Sequence, residues 1–140
     1  MNTLSYRTNT EHYLTFQLLV DDKPLGDLVT SQDSHILYWI VEDNLPYYPP
    51  HSPEAREPQT FIISACDGCG EYGCSHTRCK IVREGDDIVF HSFRENYESN
   101  VKQKEFRFTV ENYNTVVAEV VKLAKEEQTK NEQRSKQMND

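Results

Sequence analysis

The sequence predicts an α+β domain, a mostly antiparallel sheet of about five to six strands with one C-terminal helix packed on it. Three observations predict it. Short runs of aromatic and aliphatic residues, each closed by turn residues, recur from Tyr13 to Thr109. The apolar spacing then becomes helical, at Val110, Tyr113, Val116, Val117, Val120, Val121 and Ala124. A length of 140 residues suits one core of moderate size, so strands and helix are expected to share it.

Taken in order, Tyr13 to Val20 reads as a strand that stops at the turn Asp21-Asp22-Lys23-Pro24, and Leu25, Leu28 and Val29 fit a short helical turn. His35 to Val41 reads as a second strand, apolar enough to be buried on both faces, which places Trp39 in the core. Residues 43–58 hold five of the six prolines, which fix φ and lack an N–H, so a long surface loop is expected there. Tyr47 and Tyr48 stand in that loop and are candidate partner-binding residues, because tyrosines on a stiff loop bring contact area at small entropic loss. The competing reading tucks both rings beneath the loop against a sheet edge. Thr60 to Ser64, Lys80 to Arg83 and Ile88 to Phe93 form a meander, with a turn at Glu84 to Asp87, and Glu105 to Thr109 alternates as one more strand. Thr109 is the expected N-cap of the helix. The domain is assigned to residues 1–125, with 126–140 a polar helix end or a disordered tail.

The strongest chemical feature is the turn at residues 66–79, where Cys66, Cys69, Cys74 and Cys79 are spaced C-x2-C-x4-C-x4-C. Three of the five glycines fall between the first and third cysteines, and Gly70 directly after Cys69 suits a backbone that turns its N–H groups toward sulfur. Four such thiolates would close a tetrahedral structural zinc site, with His76 as a substitute ligand. The other reading makes the cysteines small buried hydrophobes of a hairpin core. The spacing resembles the zinc knuckle of small nucleic-acid-binding proteins, with Cys74 where a histidine usually stands. That resemblance implies a metal. It does not extend to nucleic acid, because Asp67 and Glu71 offset Arg78 and Lys80.

A wider resemblance rests on Val20 to Leu25, Thr60 to Ser64, the Cys-Gly-x-x-Gly-Cys of Cys69 to Cys74, the hairpin Lys80 to Phe93, and Phe106 to Ala124. In this order they resemble a family of small acidic bacterial proteins of unassigned activity. The family lacks a fourth cysteine, whereas here Cys74 is followed by Ser75-His76-Thr77-Arg78-Cys79.

Charge narrows the functional classes. A formal charge of −8, from 23 Asp and Glu against 15 Lys and Arg, repels phosphate backbones and favours a partner protein with a basic surface. The N-terminal ten residues carry no apolar run after a basic cluster and no stretch is long enough to span a membrane, so a reducing, cytoplasmic setting is expected. His12, His35, His51, His76 and His91 have no motif partners, and neither a phosphate-cradling glycine loop nor a nucleophile elbow is present. The Cys66–Cys69 pair matches a redox dithiol in spacing but is expected between strands, not at a helix N-terminus that would lower its pKa. The expectation is a non-catalytic acidic binding protein, of the immunity or antitoxin type, directed at a basic target such as a nuclease toxin. A zinc-stabilised module contacting nucleic acid or a larger assembly is the first alternative, and a thiol redox protein the second.

Overall fold

The computed structural model describes residues 1–11, 13–29, 35–46, 59–65, 76–95 and 102–138. Mixed α and β content is what these residues show, with eight strands in two antiparallel sheets of four strands each and a long C-terminal helix. The chain thus divides its strands between two sheets where the apolar runs suggested one.

The first sheet centres on β2 (Thr15–Val20), every residue of which is buried. β1 (Leu4–Asn9) pairs along its whole length, from Leu4 opposite Val20 to Asn9 opposite Thr15. On the other edge, β3 (Lys23–Pro24) pairs with the end of β2, and β4 (Ile36–Leu37) with its beginning. Asp21 and Asp22 form the two-residue link from β2 to β3, with φ of 52° and 66°. Both values are positive, as a type I′ turn requires, and aspartate tolerates that region better than most residues. The expected helical turn follows as α1 (Leu25–Leu28).

β1 has little apolar content, and its position is held by side chains far away in sequence. Asn112 clasps Leu4 from both sides, its Oδ1 accepting from the Leu4 N–H at 2.7 Å and its Nδ2 donating to the Leu4 carbonyl at 3.0 Å. One residue pair earlier, Asn2 N–H donates to the Arg107 carbonyl at 2.8 Å, and Arg107 N–H donates to Asn2 Oδ1 at 3.0 Å. The chain start is thereby stitched to the second sheet.

That sheet is a meander of β5 (Gln59–Ala65), β6 (His76–Glu84), β7 (Asp87–Glu95) and β8 (Lys102–Thr109). The strand expected at Glu105 to Thr109 joins the expected three-stranded meander as its fourth strand, beginning at Lys102. The β6–β7 link is Gly85-Asp86, with the positive φ of 60° on Gly85, where a type II′ turn needs it. All three ladders slip at the same level, between Ile62 and Ser64, Arg78 and Lys80, and His91 and Phe93. Ser92, at φ 58°, takes up the extra step in β7, so that Ile88, Phe90 and Phe93 all face inward despite an odd interval. The Ile62 N–H beside the slip in β5 donates instead to Asn44 Oδ1 at 2.9 Å.

The helix α3 (Val110–Met138) starts where the spacing predicts, and Thr109 Oγ1 accepts from the Asn112 N–H at 3.0 Å as the N-cap. Its apolar stripe joins the inner faces of both sheets in one hydrophobic cluster. Tyr113 stands fully buried against Phe90, with ring centroids 5.9 Å apart, and donates its hydroxyl to the Pro46 carbonyl at 2.7 Å. Beyond Ala124 the helix runs on through the polar residues to Met138.

Residues 35–46 depart from expectation. The strand read over His35 to Val41 is only the two residues of β4, followed by a 3-10 turn at Tyr38–Ile40 and the helical turn α2 (Val41–Asn44). Ile36, Leu37, Ile40, Val41, Asn44 and Leu45 are buried in pairs four residues apart. That is a helical period, which a short apolar run without alternation conceals. The same winding turns Trp39 outward, 39% exposed, and so corrects its placement in the core. It also makes the first residues of the expected 43–58 loop helical, with Leu45 buried; positions 47–58 lie outside the described residues.

Candidate functional site

The helical turn at residues 38–44 projects a surface. Its buried pairs anchor it, which leaves Trp39, Glu42 and Asp43 exposed together at i, i+3 and i+4. Trp39 stands edge-to-face with Tyr38, centroids 5.0 Å apart at 87°, and with Tyr13, 5.4 Å apart at 85°. Tyr13 is half exposed. The three rings form one continuous aromatic patch, contributed by the approach to β2 and by the 3-10 turn.

The patch is braced from behind. Asn131, far along α3, donates its Nδ2 to the Tyr38 hydroxyl at 2.6 Å, fixing that ring as one wall. Glu42 and Asp43 are exposed on the same helical turn as Trp39, and Glu127 lies one helical turn before Asn131 on α3. Lys125 pairs with Glu42 at 3.0 Å, and Lys130 adjoins Asn131. No partner of the Asp43 carboxylate is seen among the described residues.

Of the residues singled out by sequence, Cys66, Cys69, Cys74, Tyr47 and Tyr48 lie outside the described residues. Cys79 is described, in β6 opposite Phe61, and is fully buried within the hydrophobic cluster. Burial pushes its thiol well above the ordinary range, because a thiolate there would have no solvent. His76 begins the same strand, opposite Ala65, and is half-buried. Among the described residues no three His, Cys, Asp or Glu side chains converge as metal ligands do. Tyr13, Tyr38 and Trp39 are the site residues that sequence reasoning missed. The apolar run that holds Tyr38 and Trp39 is ambiguous in period, and no local pattern marks Tyr13.

A second concavity, about 670 Å³ and open to solvent, lies between the β6–β7 hairpin and the start of α3, lined by Arg83, Asp86, Asp87, Glu111 and Asn114 among others. Neither histidine nor cysteine lines it. Arg107 lies near this hairpin, where it pairs with Glu84 at 2.6 Å and Asp87 at 3.2 Å. His91 Nδ1 lies 2.8 Å from Ser92 Oγ at the bulge. This serine–histidine contact is between sequence neighbours on a strand.

Compared with known proteins, the chain matches no family model, no curated protein and no solved structure. No helix among the described residues is long and apolar enough to cross a membrane.

Proposed function

We propose that this chain is a non-catalytic acidic binding protein of the cytoplasm, of the immunity or antitoxin type, which covers a basic protein such as a nuclease toxin. The observation that carries the reading is the aromatic patch formed by exposed Tyr13 and Trp39 with half-buried Tyr38, on the helical turn that also exposes Glu42 and Asp43. Large aromatic residues bury area when a partner covers them, which is why tryptophan and tyrosine dominate the energetics of interfaces. The Glu42 and Asp43 carboxylates add attraction and selectivity for a positively charged partner, in keeping with the net charge of −8.

The test is to cross-link the chain in its source cells, identify the protein recovered, and titrate that protein in pure form. The expected result is a one-to-one complex with a basic protein, weakening as salt rises and abolishing the partner's own activity. A recovered partner that is acidic, or an affinity indifferent to salt, would overturn the reading.

A further inference from the structure

We infer that Trp39 is the seat of an arginine side chain from the partner, the guanidinium lying against the indole while the Asp43 carboxylate takes its N–H groups. This rests on the reading that the chain binds a basic protein, and it specifies how.

Three features of the patch select arginine. The first is the indole itself, the aromatic ring that attracts cations most strongly, exposed at the surface and edge-to-face with two tyrosine rings. The second is bracing: Tyr38 is fixed by Asn131, so the wall beside the indole is set before a partner arrives. The third is charge. Glu42 is already occupied by Lys125, whereas Asp43, one residue on and on the same helical face as Trp39, has no partner among the described residues.

Arginine meets these features better than lysine. Its guanidinium is planar, weakly hydrated and able to stack and donate in its plane together, while an ammonium is a strongly hydrated point charge. A purely electrostatic surface would treat the two alike at equal charge. Discrimination between them is therefore the signature of the seat.

Trp39 is the sole tryptophan of the chain, so its emission reports on the seat directly. The experiment titrates the full chain with an octa-arginine peptide and, separately, an octa-lysine peptide at low salt, following Trp39 emission and heat of binding. The expected result is saturable change in emission with octa-arginine and an affinity about two- to five-fold above that for octa-lysine, the range expected of a solvent-exposed cation–π contact. By calorimetry, Trp39→Ala should remove the preference, and Asp43→Asn should weaken octa-arginine more than octa-lysine. Glu111→Gln serves as the charge-matched control; its position is about 30 Å along α3 from Asn131. Asp43 is exposed, so its variant keeps the test decisive even if Trp39→Ala perturbs folding.

Equal affinity for both peptides, or an equal loss in Glu111→Gln and Asp43→Asn, would overturn the inference and leave only diffuse attraction. Failure here is separable from failure of the functional reading. A basic partner held equally by wild type and by Asp43→Asn keeps the binding protein and discards the seat. Arginine preference at Trp39, with no basic partner recovered from cells, does the reverse.

Discussion

Cys79 illustrates how a single residue is defined by what surrounds it. By spacing it is the last of four thiols, yet it sits among apolar side chains in β6, and its raised pKa follows from that burial. It should resist alkylation at neutral pH in the native state and react only as the chain unfolds, which a mass-spectrometric thiol count with and without denaturant will check. Cys79→Ser should destabilise the protein by about 1–3 kcal/mol in urea unfolding, because it buries a hydroxyl with no arranged partner. Asp21 shows the opposite case, a surface carboxylate held by its neighbours. Asn2 Nδ2 and the Thr3 N–H both donate to it at 2.8 Å, and these bonds, the Asn2 side chain first, lower its pKa from 3.8. A lowered folded-state pKa contributes stability above the unfolded value and loses it as pH falls through the folded one. Asp21→Asn should therefore be less stable than wild type near pH 6, and the gap should close as the pH falls below 3.8 toward the lowered value. Denaturant titrations across that range measure it.

At the scale of elements, local signals are strongest where the backbone demands a particular residue. Gly85 supplies the positive φ of the β6–β7 turn, and Asp21-Asp22 that of the β2–β3 turn. Thr109 ends β8 and caps α3 in one residue, so it couples the last strand to the helix. Thr109→Ala should lower stability by about 1 kcal/mol, whereas Thr109→Ser should leave it nearly unchanged. Thermal unfolding with circular dichroism distinguishes them. Other elements depend on partners. β1 carries few apolar residues and was not expected as a strand; it forms because β2 offers a full ladder and Asn112 satisfies both backbone groups of Leu4. The 35–46 segment departs from the strand expected over His35 to Val41 for a related reason. Apolar runs of six or seven residues are ambiguous in period, and only its packing against α3 and β5 selects the helical one.

Over the whole molecule, α3 does two jobs. Its first half, through Ala124, supplies the stripe that closes the cluster shared by both sheets, and its polar second half reaches Tyr38 through Asn131. Removing residues 135–140 should leave the melting temperature unchanged within error. Removing 128–140 should lower it by a few degrees, through the loss of about 1 kcal/mol for one hydrogen bond, and should loosen the Tyr38 ring. A shift of the same size in both truncations would show that the last residues carry packing of their own. Charge also acts at this scale, since the net −8 sets which partners approach while the patch decides what they touch.

By itself the sequence determined the α+β class, the turns, the start of α3 and its N-cap, because these follow from periodicity and from residues with restricted backbones. The division into two sheets, the place of β1, the inward aim of Cys79 and the outward aim of Trp39 were decided by the tertiary structure alone. Each of these depends on which surface a residue meets across a long stretch of chain, and local spacing carries no record of that. A buried thiol and a ligating thiol have the same spelling. An indole in the core and an indole on the surface differ only by the winding of the few residues around them.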